Sequence, residues 1–98
     1  MQNIINWIEN WFKEHCDGDW EHSNGIVIES SDNPGWIVKI DLTNTPIETL
    51  SVPYELQELD EGNWYGISVK DSVYNAVGDP SKLEFLLNRF KELIESGK

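Results

Sequence analysis

The chain has 98 residues, 39% of them hydrophobic and 11% aromatic, with five Trp and a single Cys. That length fits one domain across residues 1–98, and the aromatic mass excludes a disordered chain, which lacks the apolar surface needed for a core. Eighteen acidic against seven basic residues give a net charge of −11, which makes nucleic acid and anionic membranes, both held through Lys and Arg, poor partners; a cationic protein is the natural complement, the alternative being acidity that serves solubility alone.

Taken in chain order, the first predicted element is a helix over about residues 3 to 15. Ile4, Ile8, Trp11, Phe12 and His15 recur at helical spacing, with Ile5 beside them, opposite a polar face of Asn6, Glu9, Asn10, Lys13 and Glu14. Asn3 is the expected N-cap, Glu9 and Lys13 have the spacing of a helical ion pair, and Asp17-Gly18-Asp19 ends the helix.

Gly25 to Ser31 alternates as a strand, and Trp36 to Leu42 follows with Trp36, Val38, Ile40 and Leu42 on one face. Asn33-Pro34-Gly35 is the turn between them, with Gly35 the expected left-handed residue. Pairing like faces places Ile28 opposite Ile40. Pro46 and Pro53 punctuate the next stretch, where Leu50 and Val52 form a candidate short strand. Tyr54 to Leu59 and Trp64 to Lys70 read as a second hairpin around Asp60-Glu61-Gly62-Asn63, with Tyr65, Ile67 and Val69 sharing a face. Ser72 to Val77 is either a short edge strand or a loop.

The last element is a helix starting near Asp79-Pro80, with Ser81 and Glu84 spaced as a capping box. Its apolar stripe is Leu83, Leu86, Leu87, Phe90, Leu93 and Ile94, and Gly97 is the expected terminator. Phe85 lies off that stripe and is expected to be covered by a loop. The fold class is therefore α+β: an antiparallel four- to five-stranded sheet of two hairpins, flanked by an N-terminal and a C-terminal helix.

Charge is distributed unevenly. Residues 1–79 carry 15 acids and 3 bases, whereas residues 80–98 carry 3 acids and 4 bases. No apolar run reaches the roughly 20 residues that span a bilayer, and the N-terminus lacks the basic and small-residue pattern of a signal peptide, so the expected location is the cytoplasm. The expected oligomeric state is a monomer or weak dimer.

The densest polar constellation is residues 15–22. His15, Cys16, Asp19 and His22 are candidate metal or ligand contacts, but their spacing matches no familiar zinc motif. Asp17, Asp19 and Glu21 could open a calcium loop, yet His22 and Ile28 occupy the positions an EF-hand gives to Gly and Glu. Cys16 as the nucleophile of a small rhodanese-like sulfurtransferase is the enzymatic alternative. The neighbouring Asp17, Asp19 and Glu21 oppose it, because they disfavour a thiolate. No phosphate loop, nucleophile elbow or distinctive carboxylate pair is present. The expectation is a non-enzyme without cofactor or metal.

Two stretches are distinctive: Cys16-Asp17-Gly18-Asp19-Trp20-Glu21-His22 followed by Gly25-Ile26, and Asp32-Asn33-Pro34-Gly35-Trp36. With the Trp20-Glu21 pair, the Pro34-Gly35-Trp36 triplet and the final helix from about Asp79, the chain resembles the immunity protein 53 family, most strongly over residues 7–42. The resemblance implies a bacterial protein of a polymorphic toxin system that binds and neutralises a cognate toxin. The acidic balance suits a basic, nuclease-type toxin occluded without catalysis. The residues expected to touch it are Asp17, Asp19, Trp20 and Glu21, an aromatic anchor ringed by carboxylates. Asp32 at the first turn joins them, with Glu55, Glu58, Asp60 and Glu61 on the second hairpin. Trp36 is expected to serve the scaffold.

Overall fold

The computed structural model describes residues 3–32 and 34–96. Asn33 of the first turn and the Gly97 terminator lie outside the described residues. The first helix, α1 (Ile4–His15), starts where expected: the Asn3 side chain accepts the Asn6 N–H at 2.8 Å. Ile4, Ile8 and Trp11 are its buried residues. Ile5, expected beside them, is 53% exposed. The last helix lies on the other flank of the stripe, so Trp7 is covered instead, meeting Phe90 edge-on at 6.1 Å. The expected Glu9–Lys13 pair does not form. The ion pairs among the described residues are Asp79–Lys82, Arg89–Glu92 and Lys91–Glu95, and an exposed helical pair is worth only about 0.3–0.5 kcal/mol.

A one-turn helix, α2 (Trp20–Ser23), precedes the sheet. The strands are β1 (Ile26–Ser31), β2 (Gly35–Asp41), β3 (Val52–Asp60), β4 (Asn63–Lys70) and β5 (Val73–Gly78), and α3 (Leu83–Ser96) closes the chain. All five strands form one antiparallel sheet in the order β1-β2-β5-β4-β3. The fold class is thus α+β, as the sequence indicated.

Three details depart from the sequence reading. First, β5 is neither an edge strand nor a loop but the central strand. It pairs with β2 (Ile40 opposite Tyr74) and with β4 (Val69 opposite Tyr74). Asp71 and Ser72 both have positive φ and form the tight two-residue turn between β4 and β5. Second, β1 and β2 pair two residues away from the expected register, Ile26 opposite Ile40 and Ile28 opposite Val38. Gly35 belongs to the strand and does not adopt positive φ. It is required there because a Cβ would lie 2.5 Å from the Gly78 carbonyl oxygen. Third, Leu50 stays outside the sheet, and β3 begins at Val52.

Register divides the sheet into two faces. Val38, Ile40, Val69, Tyr74 and Ala76 point to the helices and meet Leu86, Leu87 and Phe90 in the core, all 0–1% exposed. Phe90 is the hub. Its ring lies 4.9 Å from that of Trp11 and 5.2 Å from that of Tyr74, and the Tyr74 hydroxyl donates to the Leu86 carbonyl at 2.7 Å. Burial pushes the Tyr74 hydroxyl well above its ordinary pKa. Phe85 is half-buried, covered by the ring of Tyr65 in β4 at 4.6 Å and not by a loop.

At the start of α3 the expected capping box is absent. Ser81 donates its hydroxyl and its N–H to the Asp79 carboxylate. The same carboxylate accepts the Trp64 N–H and pairs with Lys82 at 3.0 Å. Asp79 is 1% exposed, and the Ser81 hydroxyl, the Trp64 N–H and Lys82 together hold its carboxyl well below the usual carboxylate range.

Candidate functional site

The segment between α1 and β1 is built by its own carboxylates. Asp17 accepts the N–H groups of Asp19 and Trp20, both at 2.9 Å. Glu21 reaches back to the N–H groups of Asp17 and Gly18. The two backbone N–H bonds hold the Asp17 carboxyl below its ordinary pKa. Gly18, with φ +95°, makes the bend that lets this happen. Asp19 alone of the three acids makes no side-chain hydrogen bond here.

Trp20 corrects an expectation. It is not an exposed anchor among acids but 5% exposed. Its ring packs against Trp11 and Phe12, and its indole N–H donates to the Thr43 carbonyl at 2.8 Å. The Asp17 and Glu21 caps turn the chain so that the indole enters the core.

His15 turns to the aromatic residues and not to Cys16, Asp19 or His22, with its ring 5.5 Å from that of Trp20. Its Nδ1 is 2.8 Å from the Trp11 carbonyl oxygen, and its ring stacks on Trp11 at 4.3 Å. Among the described residues no three His, Cys, Asp or Glu side chains converge as metal ligands would. Desolvation, then Glu21 and Asp17, push the Cys16 thiol up in pKa, the direction opposite to an activated nucleophile.

The remaining sequence candidates sit elsewhere. The α1–β1 segment adjoins the start of β1 and the end of β2: Gly25 N–H donates to the Asp41 carboxylate at 2.8 Å. Asp32 follows the other end of β1, and Asp60 and Glu61 lie at the turn between β3 and β4. Because Trp36 and Tyr65 both pair with Gly78, these two turns share one end of the sheet. A strand of six residues spans about 20 Å, so the Asp17–Glu21 segment and the Asp32–Asp60–Glu61 turns form two separate acidic regions. Glu55 and Glu58 are divided as well. Glu55, opposite Ile67, is on the helix-bearing face, where Gln57 bonds it. Glu58, opposite Trp64, is on the other.

That second face holds what the sequence reading missed. The register aligns Glu29, Ile37, Val77, Gly66 and Leu56 in one row across all five strands. Tyr54 lies on the row: a Cβ at Gly66 would fall 2.5–2.7 Å from its ring and hydroxyl. Asp32, Ile37, Trp64 and Val77 line one depression with Ser31 and Trp36. Leu56 is 46% and Tyr54 58% exposed, and among the described residues no helix packs on this side. The signal in the sequence was a few apolar residues, Ile37, Trp64 and Val77, set among polar ones such as Lys39, Ser68 and Asn75 in the outward alternating sets of β2, β4 and β5.

No described helix is long and apolar enough to cross a membrane. A family model described as Immunity protein 53 matches residues 5–95 of the chain. No curated protein and no solved structure matches it.

Proposed function

Because the chain belongs to the immunity protein 53 family, we propose that it binds and neutralises a cognate toxin, acting as one unit over residues 1–98 and by stoichiometric occlusion without turnover. The observation that supports this reading beyond the family is the charge. A net −11 suits a toxin with a cationic, nuclease-type surface, and opposite fields can raise association rates by roughly ten to a thousandfold. Rapid capture matters for a protein that must reach a toxin inside the cell that makes it.

The test is co-expression of the tagged chain with the toxin domain encoded beside it. Recovery of a one-to-one complex that weakens as salt rises supports the proposal. Failure to recover a complex at low salt, with the chain folded, rejects it.

A further inference from the structure

Resting on that reading, we infer that the toxin docks on the helix-free face of the sheet, at the end bearing the two acidic turns. The centre is the depression where Ile37, Trp64 and Val77 meet, with Asp32 on its rim, and it extends over Leu56 and Glu58.

Four observations carry this. The centre is apolar and half-buried, and its residues sit on paired strands of a five-stranded sheet and not on loops, which limits the backbone freedom lost on binding. Aromatic and aliphatic centres with a polar rim are the anatomy of protein interfaces. The rim is acidic and uncompensated: among the described residues Glu29, Asp32, Glu58 and Glu61 have no cationic partner, whereas Asp60, opposite Asn63, falls on the helix-bearing side of the same turn. The lysines of this face, Lys39 and Lys70, lie at its far end, in a separate depression with Asp41 and Asp71. Finally, the competing acidic region has its chemistry committed. Asp17 and Glu21 cap backbone, and Trp20 is in the core.

The occupant is therefore a folded protein surface that presents Lys and Arg around an apolar centre. A second copy of this chain fits poorly, since twofold pairing would set one acidic rim against another.

The experiment compares three variants of the full chain against the cognate toxin, with circular dichroism confirming that each is folded. Leu56→Lys and Glu58→Lys change exposed side chains on this face, and Asp19→Lys reverses the exposed acid of the other region. Expected are a loss of at least tenfold in toxin affinity for each of the first two, the effect of about 1.4 kcal/mol or more, and a change below about threefold for Asp19→Lys. Hydroxyl-radical labelling of Tyr54, Leu56 and Trp64 in the wild-type chain should fall on complex formation. Wild-type binding with Leu56→Lys and Glu58→Lys unaffected, or labelling unchanged, overturns the docking face and leaves the immunity function standing. A wild-type chain that binds no toxin overturns both. A free chain that dimerises, with the dimer abolished by Leu56→Lys, overturns the cationic occupant in favour of self-association.

Discussion

Asp79 and Trp64 hold each other at both ends: the Trp64 N–H donates to the Asp79 carboxylate at 2.8 Å, and the Asp79 N–H donates to the Trp64 carbonyl at 3.1 Å. This pair fastens the start of β4 to the exit of β5, where the chain leaves the sheet for α3. It also fixes the backbone of Trp64, the aromatic residue at the centre of the proposed docking face.

The pair makes the fold sensitive to acid. The folded Asp79 carboxyl has a pKa below that of an unfolded carboxyl, about 3.9, so its contribution is complete above that value and disappears as pH falls through the depressed one. Stability measured by urea denaturation should therefore decline below about pH 4. Asp79→Asn should lower the thermal midpoint at pH 7 and flatten the acid decline. An acid profile identical to wild type would show that other groups set it.

Two glycines should respond unequally to alanine. At Gly35 the new Cβ meets the Gly78 backbone oxygen at 2.5 Å, an atom held by the sheet. Overpacking of this kind costs about 1–3 kcal/mol. At Gly66 the obstacle is the exposed Tyr54 ring, which can swing aside, so the cost should stay under about 1 kcal/mol. Denaturant midpoints of the two variants, with unchanged slopes, read this directly.

Trp20 should matter for stability and not for recognition. Trp20→Ala should cost about 3–5 kcal/mol, the range for emptying a buried aromatic site. The folded fraction should bind toxin with wild-type affinity in calorimetry. A selective loss of affinity with stability intact would return Trp20 to the interface.

Glu21 and Asp19 should separate in the same way. Glu21→Lys removes the acceptor for the Asp17 and Gly18 N–H groups and should cost about 1 kcal/mol. Asp19→Lys, with no hydrogen bond to lose from its side chain, should change stability by less than about 0.5 kcal/mol. Thermal melts of the two single variants decide it.

Cys16 should be chemically quiet. Its raised thiol pKa predicts slow reaction with a disulfide reagent at pH 7, and Cys16→Ser should leave toxin protection unchanged. Rapid labelling of the wild-type thiol, with protection lost in the serine variant, would reopen the enzymatic alternative.

Local chemistry was legible in the sequence. The stripe Ile4-Ile8-Trp11 and the stripe Leu86-Leu87-Phe90-Ile94 specified two helices by their period. The alternation Trp36-Val38-Ile40 and the residues around Gly62 specified strands and a turn, each set by contacts a few residues apart. The family resemblance rested on the same short-range features.

What tertiary structure decided was how separate elements meet. The alternation from Val73 to Val77 gives no hint that β5 becomes central, because one of its two neighbours, β2, whose Val38 lies opposite Ala76, is far away in sequence, whereas Ile67 on the other side is a hairpin partner. Trp20 among acids looks exposed until Asp17 and Glu21 turn their carboxylates onto the backbone and send the indole to Thr43. Acids that seem one surface in a linear reading are divided because a strand carries alternate residues to opposite faces and its two ends lie about 20 Å apart. The candidate docking face exists only once five strands are in register, since its row from Glu29 to Leu56 takes one residue from each.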